Sequence, residues 1–238
     1  EAMRQTVNKH YPSYLVCDGK DVLIGIVRGS RIFEQQAIEI SAQAGAMVGV
    51  EKEERMSTPF RRSLRFRHPW LQFNLLTAFV AAAVVGFFEG TIERIVVLAV
   101  FLPVLAGQSG NTGCQAMAVA LRGLTLGELK PGDARRHVFK EGMLGLANGA
   151  LVGLSAGIGM FIYASIKHTP ESPLVLSAIV LLAMTGSCFL SGLSGVLVPV
   201  TLKKLGFDPA TASSIFLTTA TDVASMGLFL GLATWWLG

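Results

Sequence analysis

From Ala210 to Gly238 the chain carries one charged side chain, Asp222, near the middle of an apolar run. A carboxylate in the centre of a membrane helix costs about 2.5–3.5 kcal/mol on insertion scales, and such groups face a bundle interior or a water-filled path. Helical spacing puts Ser214, Thr218, Asp222 and Ser225 on one face, with Thr211 and Thr221 at its margins. Two chemistries fit this stripe. One is a structural hydrogen bond from a protonated Asp222 to a neighbouring helix. The other is a bound cation, which is attractive because no Lys or Arg inside any apolar run is placed to pair with Asp222.

A second polar patch lies in "PVLAGQSGNTGCQ", Pro103 to Gln115. Gly107, Gly110 and Gly113 are expected to interrupt the span, and Gln108, Ser109, Asn111, Thr112 and Gln115 make it polar. Irregular, polar backbone at membrane depth is tolerated where it is buried or lines a cavity, and broken spans present carbonyls to ions. The bland alternative is interhelical hydrogen bonding by Asn111 and Gln115. Taken with Asp222, the pattern favours a cation path.

The oxygen donors available, carboxylate, hydroxyl, amide and carbonyl, suit a hard ion, and His10, His68, His137 and His168 all lie outside the apolar runs. Mg²⁺ dehydrates reluctantly and uses one or two carboxylates while keeping several waters. One Asp222 per chain supplies a single negative charge, so two chains around one pore would match a divalent ion. That charge argument points to a homodimer.

These residues need a membrane scaffold, and the composition provides for one. The chain has 238 residues, is 51% hydrophobic and only 15% charged, against about 25% charged in soluble domains. Its mean hydropathy is +0.53. The formal charge of +4 reads as basic loops on one side of a bilayer rather than as a nucleic-acid surface. Cys17, Cys114 and Cys188 are far apart and lack C-x-x-C spacing, so they form no disulfide framework or zinc site. An aspartyl protease would need a second nearby carboxylate, and no other apolar run has one, so the chain is read as a transporter and not as an enzyme.

Five runs are long enough to span: about Trp70–Phe88, Ile95–Leu121, Gly142–Ile166, Pro173–Thr201 and Ala210–Gly238. Ser172-Pro173 and Asp208-Pro209 read as helix starts, and Lys203, Lys204 and Gly206 as a helix end. Gly145, Gly149, Gly153 and Gly157 repeat at four-residue spacing and predict a close helix-packing face. Lys and Arg cluster before the first span and in the loops after the second and fourth. Only Arg94 and Lys167 stand on the other side, with Glu89, Glu93 and Glu171. The positive-inside rule then puts the N-terminus in the cytoplasm and the C-terminus outside a plasma membrane.

Residues 1–67 differ in kind. "YLVCDGKDVLIGIVRGSRIF" predicts a hairpin followed by a helix capped by Ser30 and running from Phe33 to about Met56. "TPFRRSLRF" then predicts a short basic amphipathic turn at the inner membrane surface. The chain opens on Glu1 rather than Met, as expected of a segment cut from something longer. The expected fold is therefore an all-α integral membrane protein with five transmembrane helices per subunit. A small cytoplasmic β-hairpin and helix (1–67) precede a transmembrane pore domain (68–238).

Over roughly residues 14–238 the sequence resembles the MgtE family of magnesium channels and transporters. The motifs are "PVLAGQSGNTGCQAMAVALRGL", "VFKEGMLGL" and "LKKLGFDPATASSIFLTTATDVASMGLFL". The resemblance implies a homodimer of five-helix subunits with the pore between them, lined by the second and fifth helices. It implies that Asp222 holds hydrated Mg²⁺, helped by the backbone carbonyl of Thr218, and that Asp208 is an acidic position near the cytoplasmic mouth. The hairpin resembles the end of a CBS domain, and residues 33–56 a connecting plug helix. Full-length members sense cytosolic Mg²⁺ through an N-terminal domain and two CBS motifs, of which this chain carries at most a remnant; the resemblance implies Mg²⁺ as the transported ion and, through such domains, as a regulator. The plug's acidic pair is reduced to Glu39 beside Ile40. Ser225 and Ser214 replace a family glycine and asparagine around the pore aspartate. Asn111 and Thr221 complete the candidate metal-contacting set of Asp222, Thr218, Asn111, Ser214, Thr221, Asp208 and Glu39. The expected function is passive movement of Mg²⁺ down its electrochemical gradient. Proton- or sodium-coupled transport of Mg²⁺, Mn²⁺ or Co²⁺ is the alternative.

Overall fold

The computed structural model describes residues 11–129, 134–210 and 213–238; for Gln36, Glu39, Ile40 and Gln43 it describes the backbone alone. A two-stranded antiparallel hairpin, β1 (Ser13–Cys17) and β2 (Leu23–Arg28), leads into helix α1 (Gly29–Met47). Asp18 makes the turn, its Oδ1 accepting the N–H groups of Lys20 and Val22 at 2.9 Å each. The expected Ser30 cap is not found. Arg28 occupies the cap position, with no side-chain cap bond, and Ser30 lies inside the first turn. The helix also stops earlier than expected, at Met47, because Gly49 turns the chain with φ of +78°. A Cβ at Gly49 would sit 2.7 Å from the Trp70 ring, so the turn and the close approach both require glycine.

Five helices long and apolar enough to cross a membrane follow. They are α2 (Phe60–Phe87), α4 (Val97–Leu126), α5 (Ala134–Lys167), α6 (Pro173–Lys204) and α7 (Ser213–Leu237), with a short α3 (Glu89–Arg94) between the first two. The basic "FRRSLRF" stretch is not a separate turn. It forms the first two turns of α2, continuous with the apolar part across Pro69, and Arg67 holds Glu54 of the preceding linker through its Nε at 2.8 Å. That guanidinium hydrogen bond, against some opposing desolvation, holds the Glu54 carboxyl below its ordinary range.

Helix α6 is the centre of the bundle, packed against α4, α5 and α7. The α5 glycines explain its tightest seam. Gly142, Gly145, Gly149, Gly153 and Gly157 are all buried. A Cβ at Gly149 would lie 2.7 Å from Cys188 Cβ, and one at Gly153 would lie 3.0 Å from the Leu181 carbonyl. Without those methyls the two backbones approach closely, as small residues permit in a membrane. Leu98, Leu105, Met160, Leu176, Ile179, Met184 and Phe229 fill one end of the bundle. The opposite faces of α2 and α5 expose Leu71, Leu76, Phe79, Leu151, Leu154 and Ile162, as lipid contact requires.

The ends of α6 match the sequence signals. Ser172 is the cap with proline next, and Gly206 closes the helix at φ +84°. There the Phe207 N–H reaches the Leu202 carbonyl at 3.0 Å and the Gly206 N–H the Lys203 carbonyl at 3.2 Å. These two bonds are the paired C-terminal closure that an αL glycine allows.

Helix α4 corrects an expectation. The glycines do not interrupt it; Val97–Leu126 is one α-helix. Gly113 faces α7, where a Cβ would be 2.9 Å from Leu217 Cδ1 and 3.1 Å from Thr221 Cγ2. Helix propensity alone argues for a break, but the missing side chain is what lets α7 seat on α4, and packing decides.

Candidate functional site: the polar faces of α4 and α7

Asp222 lies nine residues into α7, about 14 Å along its axis from Ser213. It is half-buried. Among the described residues its carboxylate has neither a hydrogen-bond nor an ion-pair partner. Ser214 and Thr218 share its i, i+4 stripe and are also half-buried. The stripe does not include Ser225. Thr221 and Ser225 are fully buried on the inward face with Leu217 and Phe229, so the polar residues of α7 divide between two faces. The hydroxyl of Thr221 donates to the carbonyl of Thr218 at 3.0 Å, and that of Thr218 to Ile215 at 3.1 Å.

On α4, Asn111 is exposed, next to Gly110, whose added Cβ would lie 4.0 Å from Thr221 Oγ1. Gln108 and Gln115 are exposed with it, at i, i+3 and i+7. None of these three amide side chains makes a hydrogen bond within the subunit among the described residues. The interhelical bonds considered for Asn111 and Gln115 are thus absent from the described subunit. Sequence reading left Gln108 and Gln115 out of the candidate set, although the helical spacing from Asn111 was a usable signal.

Toward the end of α7 nearest α1, the remaining residues form a second group. Ser214 Oγ donates to the Met47 carbonyl at 2.6 Å, tying the end of α1 onto α7. Ala46 packs there with Met117, Leu121, Ala210 and Leu217, and Phe73 of α2 meets Phe216 edge-on at 5.8 Å. Asp208 accepts the Ala210 N–H at 3.0 Å and pairs with Lys52 Nζ at 3.0 Å. Partial burial raises the Asp208 carboxyl, but the Ala210 N–H and the Lys52 charge together outweigh it and hold the group below its ordinary value. Neither the Met47 carbonyl nor Lys52 carried a sequence signal, one being backbone and the other part of a charged run. Glu39 lies in α1, but its side chain is outside the described residues, as is Thr211.

The structure therefore brings Asp222, Thr218 and Ser214 onto one accessible stripe and places Asn111 on the exposed face of the helix beside it. Thr221 is turned inward, and Asp208 sits apart, in the loop before α7. A carboxylate, hydroxyls and free amides at membrane depth, with no cationic side chain among them, can hold a hydrated cation through its water shell.

Comparison with known proteins agrees in kind. Residues 102–232 match the MgtE family of divalent cation transporters. The magnesium transporter MgtE of Enterococcus faecalis is 31% identical over 235 residues, covering 98% of this chain and 50% of that protein. The Bacillus subtilis protein of the same name is 28% identical over 219 residues, covering 92% of this chain and 47% of its own length. That of Thermus thermophilus is 32% identical over 164 residues, or 69% of this chain and 35% of its own. The chain spans about half the length, or less, of these curated relatives. With five membrane-crossing helices and a family match over more than half of its length, the chain belongs to the MgtE family of divalent cation transporters.

Proposed function

We propose that this chain forms the pore of a passive Mg²⁺ channel or transporter in the plasma membrane, with Asp222 as the site that attracts and positions the hydrated ion. The observation that carries this reading is a carboxylate on an accessible face of α7 that has no partner among the described residues. A charge at that depth needs a counter-charge or water, and the exposed amides of Gln108, Asn111 and Gln115 extend the same polar surface on α4. The names of the three relatives supply magnesium as the ion. A second copy would bring a second Asp222 and balance a divalent charge, so the working unit is a homodimer with the path between subunits. Thr218, Ser214 and Asn111 line that path, while Thr221 braces the Thr218 carbonyl from within.

The N-terminus then faces the cytoplasm and the C-terminus the outside, a reading supported by the basic residues in the first turns of α2 and around the junction of α4 and α5. Residues 1–67 then form the cytoplasmic segment and 68–238 the transmembrane pore domain, although α2 runs across that boundary. The end of α1, held on α7 by Ser214, lies where it would close the inner mouth. Asp208, in the loop before α7, is the acidic position at which cytosolic Mg²⁺ would act on that mouth. Inward movement needs no nucleotide, because a divalent ion gains about 4.6 kcal/mol per 100 mV.

The test is Mg²⁺ flux into liposomes under a clamped potential, with no proton or sodium gradient and with Asp222→Asn in parallel. Voltage-driven flux in the parent, reduced about a hundredfold or more in the variant, is expected; the attraction of one carboxylate for a divalent ion amounts to several kcal/mol at an effective dielectric near 20. Flux that requires a proton or sodium gradient would replace passive conduction with coupled transport.

A further inference from the structure

Besides the buried serines of α7, α4 and α6 carry three fully buried serines inside the subunit: Ser109 of α4, and Ser187 and Ser191 of α6. Ser187 is satisfied locally, by the Met184 carbonyl at 3.1 Å. The other two reach between helices. Ser109 Oγ lies 2.7 Å from Ser191 Oγ and 3.3 Å from the carbonyl oxygen of Thr221. A hydroxyl has one proton to donate. The Thr221 carbonyl can only accept, so Ser109 must donate to it. Ser191 must then donate to Ser109. The chain of bonds has one direction, from α6 through α4 to α7, and it ends on the peptide that joins Thr221 to Asp222.

We propose that Ser109, ordered by Ser191, is a positioning residue for the ion site: it fixes the depth and rotation of the Asp222 turn relative to the amide face of α4. The inference rests on the reading of Asp222 as that site. The neighbouring packing is consistent with such a role. Gly110 and Gly113 bring α4 against Thr221 and Leu217, and Gly195 of α6 faces Gly113, where its Cβ would lie 2.6 Å from the Gly113 carbonyl. Three helices thus meet at one level; Thr112 Oγ1 also reaches Cys188 Sγ at 3.5 Å between α4 and α6, and the serine chain is a directional contact that links all three. Asn111 is two residues from Ser109 on the same helix. Rotation of α7 against α4 would therefore change the spacing of Asp222 and Asn111 in the path.

The experiment uses the full chain in liposomes. Mg²⁺ flux is measured against Mg²⁺ concentration, together with the Mg²⁺/Ca²⁺ flux ratio, for the parent, Ser109→Ala, Ser191→Ala, the double variant and Asp222→Ala. Interhelical hydrogen bonds in membranes range from modest to substantial, so Ser109→Ala should raise the half-saturating Mg²⁺ by about threefold to about twentyfold. It should also lower the flux ratio, with maximal flux per folded protein less affected. Ser191→Ala should shift both in the same direction by less, and the double variant should resemble Ser109→Ala, because Ser191 acts through Ser109. A Ser109→Ala variant with parent-like half-saturation and ratio, beside an inactive Asp222→Ala, would overturn the positioning role alone. Asp222→Ala conducting like the parent would overturn the site reading and the positioning role with it. If Ser109→Ala does not reach the membrane folded, Ser191→Ala decides: absence of any shift overturns the inference.

Discussion

The two faces of α7 carry polar residues at similar depth and differ in what they leave unbonded: the hydroxyls of both faces return to backbone carbonyls, but the outward face also carries an open carboxylate. Inward, Thr221 and Ser225 are buried and their hydroxyls return to carbonyls of the same helix, while Ser109 and Ser191 complete a bonded chain behind them. Outward, Asp222 and the amides of Gln108, Asn111 and Gln115 have no partner within the subunit among the described residues. Unsatisfied polar groups are costly where water is excluded. Polarity that is fully bonded therefore marks structure, and polarity left open marks a surface that meets water, an ion or a second subunit. Polar content alone does not separate the two; hydrogen-bond accounting does.

The comparison can be broken first through packing. Gly149→Ala puts a methyl 2.7 Å from Cys188 Cβ and should destabilise the bundle by about 1–3 kcal/mol, as overpacking does. Gly159, with nothing within 4 Å of an added Cβ, should accept alanine without loss. Unfolding of the two variants in detergent, followed by circular dichroism, checks the contrast, and equal stability would show that the α5–α6 seam is looser than described.

A smaller effect is expected at the Lys52–Asp208 pair, whose side chains are 53% and 40% exposed. Exposed pairs contribute about 0.2–1 kcal/mol, so Lys52→Ala should change flux by no more than about fivefold, less at high salt. The Asp208 carboxyl is held below its ordinary value of 3.8. The contact is therefore fully present above that value and is lost as pH falls through the lowered one. Flux in the parent should be insensitive to this pair between neutral pH and pH 5. A Lys52-dependent change within that interval would contradict the assignment.

Much of this architecture was legible in the chain because membrane helices announce themselves by length, and because Ser172-Pro173 and Gly206 punctuate α6. Asp222 was legible as the lone carboxylate of its run. The integrity of α4 was not. Its glycines read as a break by propensity, whereas Leu217 and Thr221 of a helix a hundred residues away fill the space beside Gly113. The placement of Ser225 also failed, since periodicity assigns a face only to within a turn and the neighbouring helices decide which part of it is covered. The bonds Ser109–Ser191 and Ser214–Met47 join residues 82 and 167 positions apart, and no local pattern encodes such pairings.

The most direct test of the open and closed faces is thiol accessibility in liposomes, with Cys17, Cys114 and Cys188 replaced by alanine. Cysteine is introduced one position at a time, as Asn111→Cys, Thr218→Cys, Ser225→Cys or Ser191→Cys, and exposed to a small cationic thiol reagent while Mg²⁺ flux is followed. The account predicts that Asn111→Cys and Thr218→Cys are modified and that flux is then blocked, whereas Ser225→Cys and Ser191→Cys stay unmodified. Equal modification at all four positions, or none at Asn111→Cys and Thr218→Cys, would contradict it.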